Sequence, residues 1–240
     1  MIDEEKVRDL YNNLEVIWDQ RDCWHFHTYS IINRSLQDFF KQQNREGTLG
    51  KVLLAGSGGN AYGTHSEQVI HLDIAENLLK NVSNAVVGSV TCCPFQDNSF
   101  DTIICVGSVL NYVDAMETIR EFSRILKDGG KLILEFESSE SFEYLFTEPY
   151  KKSVGLANTF YRFKEEKIWV YSFDYIKSIT EHYFFSINKE ESIHLISPLI
   201  YRLTKKEKFS SKFSSLDKML SYFDFFRKRA CNKIIYLDKF

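Results

Sequence analysis

The feature that most constrains the fold is a glycine-rich loop between two short apolar runs. Residues 56–61 read Gly-Ser-Gly-Gly-Asn-Ala, follow the apolar residues 52–55, and precede a second apolar run that ends near Asp73. A buried strand, a glycine loop and a second strand with an acidic residue at its carboxyl end are the pattern by which open α/β sheets hold an adenosine. The pattern predicts such a sheet and leaves the ligand open.

Several other runs predict the remaining strands. They are short and mostly continuously apolar, as parallel strands covered on both faces are. The predicted strands are 52–55, 69–74, 85–87, 102–106, 132–136, 183–195 and 233–237. A helix is predicted over 115–126, where the phrase Lys127-Asp-Gly-Gly130 stops it. This alternation predicts a doubly wound, mostly parallel, seven-stranded, Rossmann-like α/β sheet.

The segments outside the sheet are interpreted as additions to it. Residues 1–50 carry helical apolar spacing over 3–24 and 31–40, separated by the ring-rich stretch 24–29, and are predicted to form an N-terminal helical lid. Residues 51–240 are predicted to form the Rossmann-like domain. Within it, 138–182 and 196–230 are substrate-side additions, the second an insertion before the last strand. Short helices are expected at 142–146 and 172–182.

Composition and charge argue against several classes of protein. The chain has 240 residues, of which 44% are apolar, enough for one α/β domain with additions. A net charge of -3 disfavours nucleic acid as a partner. No secretory leader and no apolar run of about 18 residues is present, so a cytoplasmic protein without a transmembrane segment is expected. The five cysteines lack C-x-x-C spacing, which predicts neither a disulfide framework nor a metal site.

The glycine loop by itself fits two kinds of cofactor. It matches the G-x-G-x-x-A pattern of dinucleotide enzymes, although Asp73 follows Gly56 by 17 residues instead of about 20. A dinucleotide also needs a helix after the loop, whose N-terminus receives the pyrophosphate. Residues 62–68 are too short for a good helix and are interrupted by Gly63. A ligand without phosphate is therefore favoured, and an NAD(P)-dependent oxidoreductase is the alternative.

Further phrases follow in order along the chain. His71-Leu-Asp-Ile-Ala75 closes the second strand, and Gly88-Ser-Val90 follows the third. Pro94-Phe-Gln-Asp-Asn-Ser-Phe-Asp101 precedes the fourth strand, and Gly107-Ser-Val-Leu-Asn-Tyr112 comes after it. Arg120-Glu-Phe-Ser-Arg-Ile-Leu-Lys-Asp-Gly-Gly130 leads into the fifth. Four such phrases in this order and spacing identify a protein family far more specifically than the glycine loop alone.

Together these phrases resemble those of the class I S-adenosylmethionine-dependent methyltransferases, in particular the small-molecule branch. The resemblance covers residues 51–137. The family's first strand and loop read roughly V-L-D-L-G-C-G-T-G, and here Leu54 replaces the acidic residue and Asn60 the last glycine. Ser89 replaces the aspartate of the family's G-D-A phrase. The resemblance implies S-adenosyl-L-methionine as cofactor and methyl transfer as the reaction.

The resemblance also implies a set of cofactor-binding residues. Asp73 is expected to accept hydrogen bonds from both ribose hydroxyls, which its charge strengthens. The other expected cofactor contacts come from the glycine loop and from the segments after the second, third and fourth strands. The full set is Ala55, Gly56, Ser57, Gly58, Asn60, Asp73, Ile74, Ser89, Val90, Gly107, Ser108 and Asn111.

Methyl transfer is expected to proceed by direct displacement onto an oxygen or nitrogen of a small-molecule acceptor. Alignment and desolvation supply much of the rate, so no nucleophilic side chain is required. A hydroxyl or protonated amine acceptor is helped by a base. The candidate bases are His25, His27, Tyr29 and Tyr112. Trp18 and Trp24 are candidates to face the sulfonium, which aromatic rings attract.

The carboxyl-terminal region has its own charge pattern. Residues 200–240 hold eleven Lys or Arg against four acids. Such a basic segment is typical either of a solvated helical face or of weak contact with phosphate or an anionic membrane surface. A noncatalytic, methyltransferase-like binding protein is a further alternative for the whole chain, since Leu54, Asn60 and Ser89 depart from the family pattern. The sequence does not define an oligomeric state or the acceptor.

Overall fold

A computed structural model describes residues 2–46, 49–64, 68–161, 164–204, 207–210, 213 and 216–240. Two helices precede the sheet: α1 spans Glu4–Asn12 and α2 spans Cys23–Glu46. Asp3 caps α1 by accepting a hydrogen bond from the Glu5 N–H at 3.1 Å.

The helix prediction for residues 3–24 was wrong at its carboxyl end, because α1 stops at Asn12. The ring-rich stretch 24–29 is not a linker either, since it forms the first turns of α2. Two contacts explain this. Asp22 accepts a hydrogen bond from the His25 N–H at 3.1 Å, and the Thr28 hydroxyl bonds back to the Trp24 carbonyl. Polar groups of this stretch are thereby satisfied within the helix.

In the described residues, nine strands and seven further helices follow. The strands are β1 Val52–Ala55, β2 Val69–Asp73, β3 Ala85–Val87, β4 Phe100–Cys105, β5 Leu126–Glu137, β6 Val154–Tyr161, β7 Lys164–Tyr171, β8 Phe185–Ile193 and β9 Asn232–Lys239. The helices are α3 Glu76–Leu79, α4 Ala115–Ile125, α5 Phe173–His182, α6 Ser197–Thr204, α7 Glu207–Ser210, α8 Asp217–Leu220 and α9 Asp224–Arg227. Single 3-10 turns occur at Val109–Tyr112 and Phe142–Tyr144.

Seven strands form one sheet in the order β3-β2-β1-β4-β5-β9-β8. The first five strands pair in parallel, whereas β9 pairs antiparallel with both β5 and β8. The predicted fold class, a mostly parallel seven-stranded Rossmann-like sheet, is confirmed. The carboxyl ends of β1, β2 and β4 meet at one edge, where the strand order reverses between β1 and β4.

A second sheet was not predicted. β6 and β7 form an antiparallel hairpin whose register runs from Val154 opposite Tyr171 to Tyr161 opposite Lys164. The short helix expected at 142–146 is a single 3-10 turn. The hairpin buries Ile168 and Val170 against Tyr144 of that turn. Gly155 and Asn158 weaken the strand signal of β6, and four consecutive charged residues, 164–167, open β7, so neither strand was predicted.

The apolar core lies on both faces of the main sheet because successive strand residues point to opposite sides. On one face, Leu53 and Ile103 pack with Ile119 and Phe122 of α4. On the other face, Leu54 packs in a cluster with Leu36 and other residues of α2. Helix α2 is therefore part of the core that covers β1. No helix within the described ranges has the length and apolar character needed to cross a bilayer.

We expect Leu36→Ala to lower the free energy of unfolding by about 2–5 kcal/mol, because Leu36 is fully buried and truncation leaves a cavity between α2 and the sheet. Urea unfolding followed by circular dichroism measures this. The matched control, Leu203→Ala, removes a leucine that is 76% exposed and should change stability by less than about 0.5 kcal/mol. Equal effects of the two substitutions would show that α2 does not stabilise the sheet.

Candidate functional site

A partly open cleft of about 650 Å³ lies at the edge where β1, β2 and β4 end. The glycine loop, the end of β2 and the segments after β3 and β4 line it, and residues of the N-terminal segment cover it. Seven of the twelve predicted cofactor residues line the cleft, as does one candidate base. They are Gly56, Ser57, Asp73, Ile74, Ser89, Val90, Gly107 and the base Tyr112.

Asp73 joins the glycine loop to the segment after β2. Its Oδ2 accepts a hydrogen bond from the Gly58 N–H at 2.7 Å, and its Oδ1 accepts one from the Ala75 N–H at 2.9 Å. Burial raises the pKa of Asp73, and the backbone donors partly offset this. Gly58 has φ +52°, and a Cβ there would lie 1.8 Å from the Ile17 side chain. The loop can approach the lid this closely only with glycine at 58.

The side chains of Ser57 and His71 stabilise the glycine loop. The Ser57 hydroxyl accepts a hydrogen bond from the Gly59 N–H at 3.2 Å and lies 3.1 Å from Nδ1 of His71. Burial lowers the pKa of His71, which keeps its imidazole neutral. Asn60 does not line the cleft: its Oδ1 accepts a hydrogen bond from the Tyr62 N–H at 2.8 Å and so closes an Asx turn.

A buried carboxylate shapes the segment after β4. Glu135 of β5 is fully buried and accepts hydrogen bonds from the Gly107 N–H at 2.8 Å and the Ser108 N–H at 2.5 Å. The Asn232 amide donates to its other oxygen at 2.6 Å. Burial raises the pKa of Glu135, and these donors partly offset the effect. Sequence reasoning missed Glu135, although an acid within the apolar run 132–136 is the signal that marks it.

The remaining predicted cofactor residues lie outside the cleft lining and hold its walls in place. Ala55 is buried in β1, and Gly58 and Asn60 shape the glycine loop. Asn111 is fully buried, donating to the Trp169 carbonyl at 2.6 Å and accepting from the Glu137 N–H at 2.9 Å. The Ser108 hydroxyl donates to the Glu137 carboxyl at 3.3 Å. Whether these residues contact a cofactor stays a prediction.

Glu137, half-buried at the end of β5, is the second carboxyl group behind this wall. The Tyr144 hydroxyl donates to it at 3.1 Å. Burial, together with the nearby Glu143 and Glu135 carboxyl groups, raises the pKa of Glu137 to about 8. Glu137 is therefore mostly protonated at neutral pH and adds little negative charge beside the cleft.

The N-terminal segment contributes four residues to the site, of which the sequence analysis singles out Trp18 alone. Val7, Tyr11, Ile17 and Trp18 line the cleft. Tyr11 meets Tyr112 edge to face at 5.8 Å, and Trp18 lies over Gly107. The spacing of Val7 and Tyr11 predicts a helix and carries no signal of ligand contact. Their placement depends on the tertiary position of α1.

Two hydrogen bonds between side-chain and backbone groups fix that position of α1. Asn12 accepts from the Asn77 N–H at 3.0 Å through its side-chain oxygen, and its carbonyl accepts from the Asn77 amide at 2.8 Å. Tyr62 is a further residue that sequence reasoning missed. It is buried and lines the cleft directly after the glycine loop, and burial raises the pKa of its hydroxyl well above the usual range.

The three N-terminal candidate bases lie outside the cleft lining. Tyr29 stands behind it, with ring centroids 5.3 Å from Trp18 and 6.0 Å from Tyr62. The His25 Nδ1 lies 2.7 Å from a carboxyl oxygen of Asp22. The His27 ring lies 5.7 Å from that of His194, away from the cleft. Of the four candidates, the structure brings Tyr112 alone to the lining.

Comparison with known proteins supports one family. Residues 53–134 match the family model described as methyltransferase domain. One similar structure is that of geranyl diphosphate C-methyltransferase from Streptomyces coelicolor, in complex with S-adenosyl-L-homocysteine, Mg²⁺ and geranyl diphosphate. It superposes with a TM-score of 0.58 at 11% identity, and the match covers 99% of this chain and 98% of that one. This likeness shows a shared fold. Residues 53–134 of the chain are similar to a methyltransferase domain.

Two relatives match parts of the chain. An uncharacterised protein of Methanocaldococcus jannaschii is 30% identical over 144 residues, which are 58% of this chain and 60% of that protein. A ubiquinone/menaquinone biosynthesis C-methyltransferase of Legionella pneumophila is 39% identical over 93 residues, 38% of this chain and 35% of that protein. The match to each relative thus spans less than two thirds of its length.

A buried histidine joins the lid helix α2 to the insertion before β9. His194 Nε2 lies 2.7 Å from the Thr28 hydroxyl, and its ring stacks on Trp24 at 4.4 Å. Burial, with smaller effects from His27 and His25, lowers the pKa of His194 to about 3. His194 is therefore neutral in the folded protein across the range in which an ordinary histidine becomes charged.

This lowered pKa predicts a pH dependence of stability. Below pH 6.5 the unfolded chain protonates His194, whereas the folded chain keeps it neutral. The unfolded state is therefore increasingly favoured, and the folded protein loses stability, as the pH falls toward 3. Because the titrating group is gone, we expect the His194→Asn protein to lose less stability than wild type as the pH falls from 6.5 to about 4. Thermal melts at each pH measure this. The control His182→Asn, at an exposed position of α5, should keep the wild-type slope; identical slopes in all three proteins would contradict the assignment.

Proposed function

We propose that the chain transfers a methyl group from S-adenosylmethionine to a small-molecule acceptor. The observation that carries the proposal is the position of Asp73, buried at the end of β2 and hydrogen-bonded to the glycine loop, within the cleft at the sheet's switch point. The methyltransferase domain at 53–134 supports the same reaction.

The residues of the cleft fit this cofactor. The Asp73 oxygens accept backbone N–H groups from Gly58 and Ala75, and a carboxylate has about four acceptor sites, so it has room for the ribose hydroxyls as well. Ile74 and Val90 offer apolar surface for a purine ring. Among the described residues that line the cleft, none is Lys or Arg, so none of these side chains balances a pyrophosphate. This disfavours the dinucleotide alternative.

When bound, S-adenosylmethionine supplies an electrophilic methyl group on a sulfonium, which an acceptor lone pair attacks in line. The chain's own contribution is to align the reactants and exclude water. Trp18 and Tyr11 close the cleft from above, and Tyr62 and Tyr112 add aromatic walls. Aromatic faces attract a sulfonium without adding a nucleophile of their own.

The acceptor class has two candidates. An oxygen or nitrogen of a small molecule is the first, with Tyr112 as the candidate base that lies at the cleft. A carbon nucleophile is the second, because a relative that shares 93 aligned residues is named a C-methyltransferase of ubiquinone/menaquinone biosynthesis. The apolar and aromatic lining suits an apolar acceptor in either case.

Calorimetric titration with S-adenosylmethionine tests the proposed role of Asp73. We expect Asp73→Ala to weaken binding by about 1.5–3 kcal/mol, roughly 10- to 150-fold in Kd, because charged hydrogen bonds are lost. Asp128→Asn, exposed at the opposite edge of the sheet, is the control and should bind as wild type does. Thermal melts establish that each variant is folded.

Three outcomes separate the alternatives. An unchanged Kd in Asp73→Ala would remove the assignment of Asp73. Tight binding of NADH or NADPH with no binding of S-adenosylmethionine would favour the oxidoreductase. Absence of binding at millimolar S-adenosylmethionine would favour the noncatalytic protein.

A second prediction concerns Trp18. If its ring faces the sulfonium, Trp18→Ala should weaken binding of S-adenosylmethionine by about tenfold and affect S-adenosylhomocysteine less, because the latter has no positive charge. Trp24→Ala is the matched control, since Trp24 stacks on His194 and does not line the cleft. Calorimetry with both ligands measures the difference. Equal losses for the two ligands would mean that Trp18 contributes packing only.

A further inference from the structure

Exposed apolar side chains concentrate in the insertion between β8 and β9. Of the fifteen large hydrophobic residues exposed in the described chain, seven lie within residues 203–225. These seven are Leu203, Phe209, Leu216, Met219, Tyr222, Phe223 and Phe225. Single exposed apolar residues are common on soluble proteins, but such a cluster in one short segment marks an interaction surface.

The most exposed part of this cluster is followed directly by basic residues. Tyr222 is 80% exposed, Phe223 58% and Phe225 56%, and the next exposed residue, Lys228, belongs to the run Arg227-Lys-Arg229. The Arg229 guanidinium lies 4.0 Å from the Phe225 ring centroid. We name Met219, Tyr222, Phe223, Phe225 and Lys228 the aromatic-basic surface.

The charge of the whole segment is opposite to that of the rest of the chain. Residues 200–240 hold eleven of the 30 basic residues and four of the 33 acids, leaving 19 basic and 29 acidic residues in the preceding 199. Positive charge is thus concentrated in this segment of an acidic protein. An anionic partner is drawn to this end of the chain and repelled by the remainder.

Strand pairing places the insertion at the same edge of the sheet as the cleft. Glu137, at the carboxyl end of β5, pairs with Asn232, and Ile193, at the end of β8, pairs with the same residue. Because β5 is parallel to β4, this is the edge where β1 and β4 end. The insertion therefore leaves the sheet beside the wall that Glu135 and Asn232 support.

We propose that the aromatic-basic surface docks on an anionic phospholipid bilayer. Tyr and Phe rings next to Lys and Arg are the composition that lies at the boundary between headgroups and acyl chains. A free phosphate would account for the basic residues but would leave the clustered Met, Tyr and Phe side chains in water. The net charge of -3 disfavours a nucleic acid. A bilayer with anionic headgroups satisfies both parts of the surface at once.

The docked orientation bears on the acceptor, and this step rests on the proposed function. The cleft opens at the edge that carries the aromatic-basic surface, so docking holds the cleft close to the bilayer. An apolar acceptor dissolved in the membrane then reaches the cleft without crossing water. The docking itself does not depend on methyl transfer and is tested without it.

Vesicle sedimentation of the full chain tests the docking. We expect sedimentation with vesicles of equimolar phosphatidylcholine and phosphatidylglycerol, and little with phosphatidylcholine alone. Raising salt from about 0.1 to 1 M should release the protein, because the screening length falls from about 10 to 3 Å. The double variant Tyr222→Ser/Phe223→Ser should lower the partition coefficient at least about tenfold. Lys228→Glu should lower it as well.

The control is the double variant Phe184→Ser/Phe240→Ser. These phenylalanines are 57% and 70% exposed, and Phe240 follows β9 at the opposite edge of the sheet. This variant should sediment as wild type does. No sedimentation of wild type with anionic vesicles, or equal loss in both double variants, overturns the docking. Binding of S-adenosylmethionine, measured on the same proteins, should be unchanged, so failure of docking is distinguishable from failure of the proposed function.

Discussion

The hydrogen bonds that Glu135 accepts determine the shape of the cleft. A fully buried carboxyl group in the middle of an apolar strand is costly unless donors surround it. Here the donors are the N–H groups of Gly107 and Ser108, which leave β4 toward the cleft, and the amide of Asn232, where β9 begins. One buried group thus joins β5, on which it lies, to the segment after β4 and to the start of β9. Ser108 is held at φ +58°, a conformation that needs such support in a residue other than glycine.

Two segments far apart in sequence meet beside that wall. Helix α1 and the loop after it line the cleft, and the insertion that ends at Asn232 leaves the sheet at the same edge. His194 joins them, since it bonds to Thr28 and stacks on Trp24 of α2. A buried contact therefore links α2 to the residues that begin the insertion.

The sheet could be predicted from sequence because its strands are short apolar runs between motifs of known spacing. Residues 85–87 and 115–125, for example, were placed almost to the residue. The contacts of α1 could not be predicted. Trp18 is a candidate from sequence because aromatic rings attract a sulfonium, but Tyr11 carries the same helical spacing as an ordinary core residue, and only the tertiary position of α1 brings it to the cleft. Glu135 was recognisable in principle, since an acid inside an apolar strand demands a buried partner.

Two departures from the family pattern, Leu54 and Ser89, are explained by the positions of α2 and α1. Leu54 stands where the family has an acidic residue, but it is 1% exposed and packs in the same cluster as Leu36 of α2. A carboxylate at that place would be buried under an apolar helix without a partner, so the position of α2 requires an apolar residue there. Ser89 shows the same dependence. Its hydroxyl bonds to that of Thr91, which donates in turn to Glu4 of α1. The lid therefore supplies a carboxylate near the position from which the family's aspartate is missing.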